Sequence, residues 1–417
     1  MRINEFRERC ISWEHPYWKN TDLITYWNKG GLSLEEIYEN KELLFVKSYP
    51  IAILGSVGKT TLSRMLFILL QQHGILPYLT KINDNWLPQL PFAVKLALND
   101  IKDISIFECG VACRGDTSLM ASVVPAKTIL YTEFAEVHLS ELKSFYGVAN
   151  EKLDFALYYP KARIISHIKN KEYIEKLNLE DIVYYGEYES EAHYRYNIKD
   201  MSFNDMTINI YDRDNTTEFK IKGIGFHLGL ACCGAIAVYQ EVFNRKFDVS
   251  YINIKEFVNP KQRMEVLEYK GVKIVIDTVN SNELSILNSL ETIINLNLDI
   301  AKNAVIGEIY GLGNETERVM NNLVDKICNL KMDRFISIIF IGKYFSLHQD
   351  KLRKRIKSKL SFYNDQDEFK REFDITKYYG QLILLRSPTK RGGDFSNLIE
   401  GYNGGSEETR PEELICL

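Results

Sequence analysis

The segment Gly55-Ser56-Val57-Gly58-Lys59-Thr60-Thr61 gathers two glycines, a lysine and three hydroxyls within seven positions. A glycine-rich turn between a strand and a helix aims backbone N–H groups and a helix N-terminus at one point, which suits a polyphosphate. In such a loop Lys59 neutralises β- and γ-phosphate oxygens, and the Thr60 hydroxyl reaches Mg2+. The common form of the loop has four residues between its glycines, whereas Gly55 and Gly58 are separated by two. The flanks strengthen the reading. The apolar run 49–54 reads as a buried strand, and 60–73 as a helix with Leu62, Met65, Leu66 and Leu69 on one face and Gly74 at its end.

The elements that must hold this loop follow an α/β rhythm. Strand patterns at 104–107, 127–131 and 162–166 alternate with helical stretches, which predicts a mainly parallel sheet with helices on both faces. Glu108 then stands at the C-terminal edge of a strand, where open α/β sheets bind ligands. Between about 183 and 225 the pattern changes to short alternations such as Met206-Thr207-Ile208-Asn209-Ile210-Tyr211, which predicts an antiparallel insertion or side sheet. A second, Rossmann-like α/β unit opens after Pro260. Its strands are expected at 272–277, 303–307, 335–340 and 382–385, with helices at 283–296 and 316–331. The expected division is a short N-terminal cap (1–47), a central P-loop domain (48–260) and a C-terminal α/β domain (261–417). In the cap, Ser33-Leu34-Glu35-Glu36 resembles a capping box. The cap's aromatics (Trp13, Tyr17, Trp18, Tyr26, Trp27) read as packing rather than as a ligand box.

Bulk properties exclude several classes of function. The 417 residues carry a formal net charge of −4, which is not the footprint of a nucleic-acid binder. The basic run 351–359 has apolar residues at Leu352, Ile356 and Leu360, so it reads as the solvated face of a helix. The charged N-terminus lacks a signal-peptide core, and no apolar stretch reaches the roughly 20 residues that span a bilayer. Seven cysteines follow no disulfide or zinc framework, and Cys109 and Cys113 have no second pair to complete a metal site. A cytoplasmic protein is expected. The Gly401–Gly405 segment and the acidic end beyond it read as a mobile tail.

The shortened loop resembles that of the Mur ligases, usually written Gly-Thr-Asn-Gly-Lys-Thr, and further motifs follow in order. Glu108-Cys109-Gly110 is similar to the family's Glu-x-Gly block, whose glutamate binds Mg2+. His138 and Lys152, fourteen positions apart, resemble the MurF-like stretch in which the lysine is carbamylated by CO2. Gly225-Phe226-His227-Leu228 resembles the Gly-x-His-Asn motif. Arg263-Met264-Glu265 and 277–282 resemble the Arg-x-Glu and Asp-x-Tyr-Asn-Ala-Asn blocks, and 305–313 the Leu-Gly-Asp-Met-x-Glu-Leu-Gly stretch. The chain departs from these patterns at Ala231, Val279 and Glu283, where the family has asparagine, tyrosine and proline.

The resemblance implies an ATP-dependent ligase that joins a carboxylate to an amino acid or amine through an acyl phosphate. It implies that Gly55 through Thr61, His227, Arg263, Asp277 and Asn280 hold ATP, and that Lys59, His138, Lys152 and Arg263 act in the reaction. Two Mg2+ ions are implied, one on Thr60 and Glu108, the other on His138 and a carbamate of Lys152. Only 54 residues precede Gly55, which is similar to the folylpolyglutamate and poly-γ-glutamate synthetases and implies a carboxylate other than a UDP-MurNAc peptide. Ser387 and Lys390 are candidates to meet the carboxylate of the incoming amino acid. Two other readings stand beside this one: a P-loop kinase or NTP hydrolase, and a Mur-like binding protein without catalysis.

Overall fold

The structure is a computed structural model that describes residues 4, 8, 23–81, 85–179, 181–212, 215–249, 259–279, 281–387, 398 and 399. Asn280, Lys390, residues 13–18 and the Gly401–Gly405 tail lie outside the described residues.

Three short helices, α1 (Leu23–Lys29), α2 (Leu34–Asn40) and α3 (Leu43–Lys47), lead into the first sheet. The Ser33 hydroxyl accepts from the Glu36 N–H at 3.2 Å, which is one of the two bonds of the expected capping box. Trp27 is fully buried and donates its indole N–H to the Pro88 carbonyl at 2.8 Å, and Tyr26 meets Phe92 edge-on. The described part of the aromatic cluster is therefore packing.

The first sheet is built on β1 (Tyr49–Leu54), β2 (Pro77–Leu79), β3 (Ile104–Glu108), β4 (Thr128–Tyr131) and β5 (Arg163–His167). It continues through β6 (Val183–Glu187), β7 (Tyr194–Met201), β8 (Asp205–Tyr211) and β9 (Thr216–Lys222). Their order is β2-β3-β1-β4-β5-β6-β7-β8-β9, parallel as far as β7 and antiparallel beyond. The expected antiparallel insertion thus extends the main sheet rather than standing apart from it.

Successive side chains of β1 point to opposite faces. Ile51 and Ile53 pack with α4 (Lys59–Gln72), while Ala52 and Leu54 pack with α5 (Leu90–Asn99), α6 (Asp116–Val123) and, beyond the short α7 (Leu139–Leu142), α8 (Phe145–Tyr158). Both faces are covered, which explains why β1, β3 and β4 read as continuous apolar runs. After the short α9 (Lys171–Ile174) comes α10 (Phe226–Phe243), which lies against α4 through small residues. A Cβ on Gly234 would meet Leu62 at 2.8 Å. Among the described residues α10 alone is long and apolar enough to cross a membrane, and most of it is buried in this core, Cys232 and Cys233 included.

The second sheet has the order β10-β11-β15-β12-β13-β14. It comprises β10 (Glu265–Tyr269), β11 (Val272–Asp277), β12 (Lys302–Gly307), β13 (Ser337–Ile341), β14 (Lys359–Tyr363) and β15 (Leu382–Arg386). Only β10 runs antiparallel. The helices α11 (Glu283–Asn295) and α12 (Thr316–Asn329) cover one face. The basic run does not form one helix. Its helix spans Gln349–Arg355, and Leu360 reaches the core from β14.

Candidate active site

The loop after β1 has the geometry of a phosphate cradle. Gly55 has φ 138, and a Cβ there would lie 1.9 Å from the Thr132 Oγ1, so only glycine fits between β1 and the segment after β4. Gly58 has φ 80 and is the N-cap of α4, with no side chain capping the helix. The first-turn N–H groups of α4 therefore face the loop without a side-chain acceptor, where an anion would satisfy them. The N–H groups of Ser56 and Val57 instead bond the Glu133 carbonyl at 3.1 and 3.3 Å and fix the loop to the neighbouring strand end. Lys59 folds back so that Nζ donates to the Gly55 carbonyl at 3.0 Å, across the mouth of the loop. Burial lowers its pKa, opposed by Glu108 and reinforced by Arg263.

Parallel pairing sets Glu108 of β3 beside Ile53 of β1, which brings its carboxylate to the start of α4. Glu108 Oε1 accepts from the Thr60 hydroxyl at 2.9 Å and from Asn85 Nδ2 at 2.6 Å. This carboxylate, the hydroxyl and the open helix end form a hard-oxygen set suited to Mg2+, which binds through one or two carboxylates together with substrate phosphates. Among the described residues no group of three or more His, Cys, Asp or Glu forms a closed metal cage.

Lys152 is turned inward from α8, which is anchored by Glu151 accepting from the Gly115 and Thr117 N–H groups at 2.9 and 3.1 Å. Its Nζ is buried and donates weakly to the Val111 carbonyl at 3.4 Å. Burial and then the charge of Lys59 push its pKa down to about 7. A neutral amine is the form that attacks CO2, so this lysine fits a carbamate better than an ordinary surface lysine does. His138 holds a left-handed conformation (φ 53) at the N-cap of α7, and its ring meets Trp86 edge-on at 6.1 Å.

The segment entering the second sheet brings Arg263 into the field of Glu108 and Lys59. Gln262 and Met264, on either side of Arg263, both have positive φ (58 and 55), a conformation that costs energy for non-glycine residues. Arg263 feels burial first, then Glu108 and Asp277, so its guanidinium belongs to the same charge field as the phosphate loop. Asn259 Nδ2 joins Ile224 O, Arg263 O and His227 Nε2, at 2.9, 3.2 and 3.3 Å. His227, at the start of α10, is pushed down to about 4 by burial, with Arg263 adding to the effect and Asp277 opposing it. The imidazole is neutral at physiological pH.

Asp277 ends β11 and accepts from the Ser289 hydroxyl. Arg386, at the end of β15, binds the Asp277 carboxylate at 3.2 Å and its carbonyl at 2.8 Å. Ser387 is fully buried and accepts from Gln366 Nε2 at 3.2 Å, so its hydroxyl is engaged inside the second unit. A hydrogen bond from Thr60 to Glu108 and a run of electrostatic couplings thus link Lys59, Thr60, Glu108, Lys152, His227, Arg263 and Asp277. Sequence reasoning missed Asn85, Asn259 and Arg386, none of which lies in a recognisable motif.

Residues 53–239 match the Mur ligase middle domain. The UDP-N-acetylmuramoyl-tripeptide–D-alanyl-D-alanine ligase of Rickettsia prowazekii is 23% identical over 364 residues, which cover 85% of this chain and 78% of the relative. Among solved structures, MurF from Acinetobacter baumannii superposes with a TM-score of 0.73 at 18% identity, covering 90% of this chain and 79% of that one. The folylpolyglutamate synthase of Mycobacterium tuberculosis, solved with ADP, gives a TM-score of 0.62 at 12% identity, with 87% and 91% covered. The two-sheet α/β architecture is the fold that these ligases share.

Proposed function

We infer that this chain, a member of the Mur ligase family, is an ATP-dependent carbon–nitrogen ligase that condenses a small carboxylic acid with an amino acid or a short peptide amine. A carboxylate oxygen of the acid attacks the γ-phosphorus of ATP, which gives an acyl phosphate and ADP. The amine nitrogen then attacks the acyl carbon, phosphate leaves, and the nitrogen loses a proton. Residues 1–47 serve as a cap, 48–260 as the nucleotide domain, and 261–417 as the domain that closes over it.

Each residue has a role in this reading. The loop 55–61 and Lys59 bind and orient the triphosphate, and Arg263 adds positive charge as negative charge builds on the transferred group. Thr60 and Glu108 would hold one Mg2+, and His138 with a carbamate of Lys152 a second. These ions would supply charge neutralisation at the phosphoryl oxygens and the acyl carboxylate. In this reading His227 and Asp277, together with Asn280, would serve the nucleoside part of ATP, and Ala231 would leave the base contact to other groups. Closure keeps water from the acyl phosphate.

The observation that carries this reading is Lys152: a buried amine with a pKa near 7, beside a phosphate loop that already has its own lysine. A kinase or NTP hydrolase needs no pairing of such a lysine with His138. Incubating the protein with ATP, Mg2+ and a metabolite extract should yield ADP, phosphate and a product heavier by one amino-acid or dipeptide residue. ATP turnover that neither needs an amine nor yields such a product would defeat the proposal. Because relatives carry UDP-N-acetylmuramoyl-tripeptide and D-alanyl-D-alanine in their names, that pair is the first to try.

A further inference from the structure

We propose that Asn85 is a positioning residue that fixes which oxygen of Glu108 faces the metal and phosphates; this rests on the metal reading of Thr60 and Glu108 above. Asn85 lies 23 positions before Glu108 and donates its side-chain amide to Oε1 at 2.6 Å. The Thr60 hydroxyl donates to the same oxygen at 2.9 Å. Two donors on Oε1 hold the carboxylate plane in one rotation and leave Oε2 as the oxygen with open lone pairs.

Asn85 is itself held in place. Its backbone carbonyl accepts from the Gly110 N–H at 2.7 Å, and a Cβ at Gly110 would lie 3.0 Å from that carbonyl oxygen and from the Asn85 side-chain oxygen. The glycine of the Glu108-Cys109-Gly110 block thus gives Asn85 room for a close approach, and a side chain there would push against it. The next residue, Trp86, meets the His138 ring at 6.1 Å. One dipeptide therefore touches both residues assigned to metals, at the ends of β3 and after β4. Partners that orient a metal's ligands are typically worth about 10- to 100-fold in metal affinity.

The test is ADP affinity of the full-length protein, by calorimetry, titrated with Mg2+ and repeated in EDTA. Asn85→Ala should raise the Mg2+ concentration that half-saturates the tightening of ADP by about tenfold. ADP affinity in EDTA should stay within about twofold, because the phosphate loop does not depend on Asn85. Asn85→Ser, too short to reach Oε1, should behave alike and guards against a folding failure of the alanine variant. In a Glu108→Gln background the Asn85→Ala effect should vanish, since the residue acts through that carboxylate. An unchanged Mg2+ dependence in both variants overturns the role. So does a loss of ADP affinity in EDTA, which would make Asn85 a loop-folding residue. If the unmutated protein shows no Mg2+ dependence at all, the metal reading of Thr60 and Glu108 falls, and this role with it.

Discussion

Lys152 Nζ lies 3.4 Å from the Val111 carbonyl oxygen, a long contact for a buried ammonium. Its pKa is accordingly pushed down from 10.5 to about 7, by burial first and by Lys59 second. The neutral fraction, which alone adds to CO2, grows as pH rises through 7. In CO2-depleted buffer, restoring the same dissolved CO2 should therefore stimulate turnover strongly at pH 8 and weakly at pH 6. Lys152→Ala should lose about 100-fold in turnover, the upper range for a misplaced metal ligand, and should not respond to bicarbonate. Linkage has a matching sign. The unfolded chain binds this proton up to a higher pH than the native chain, so the unmodified protein gains stability as pH rises from about 7 to 10.5. Denaturant unfolding with and without Lys152 reads that slope.

The parts of this site that the sequence made legible are those whose cause is local. A continuous apolar run, two glycines and an amphipathic stretch predict β1, the loop and α4 because each obeys a short-range rule, and β1 and β11 match their expected bounds. The three-residue β2 and the β10 strand carry too little pattern to be seen. The basic run misled because Leu352, Ile356 and Leu360 have helical spacing while the chain changes from helix to strand between them. Asn85 and Arg386 were invisible for another reason. Each is an ordinary polar residue until the fold brings it to a carboxylate, and Arg386 lies 109 positions from Asp277.

Glycine is needed at Gly55 for space and at Gly58 for backbone conformation alone, and the two should respond differently. A methyl at Gly55 strikes the Thr132 Oγ1 at 1.9 Å and its carbonyl oxygen at 2.9 Å, while one at Gly58 meets nothing within 4 Å. Gly58→Ala should cost about 1–2 kcal/mol from its left-handed φ and keep measurable ATP binding. Gly55→Ala should abolish binding, and adding Thr132→Ala should restore only part of it because the carbonyl remains. Equal losses in the two single variants, measured by ADP calorimetry, would contradict the packing argument.

Arg386 and Asp277 form a buried pair at the C-terminal edge of the second sheet, and Arg386 also donates to the Ser285 hydroxyl at 2.6 Å. Removing one partner leaves the other charge without compensation. Arg386→Ala should destabilise the protein by about 3–5 kcal/mol, seen as a lower urea midpoint. Removing the pair together, in Arg386→Met/Asp277→Asn, should cost less than Arg386→Ala alone. A double variant that loses more would show the pair to be stabilising in itself rather than merely matched.

Arg318 reaches from α12 to Glu136 at 2.6 Å while also binding Glu315, and Glu136 lies two residues before His138. Beside it the Ser140 N–H donates to the Gly311 carbonyl at 3.3 Å, so the second unit touches the loop that carries His138. The pair is partly exposed, and such pairs contribute about 0.2–1 kcal/mol to stability. Its larger effect should be on the closed arrangement. Arg318→Gln and Glu136→Gln should each lower kcat/KM severalfold, with little change in urea midpoint, and high salt should lower kcat/KM of the unmutated enzyme more than that of the variants, narrowing the gap. The double variant should be no worse than either single one, because both remove one interaction. Additive losses would mean that Arg318 and Glu136 act on different steps, and the contact would then be incidental to closure.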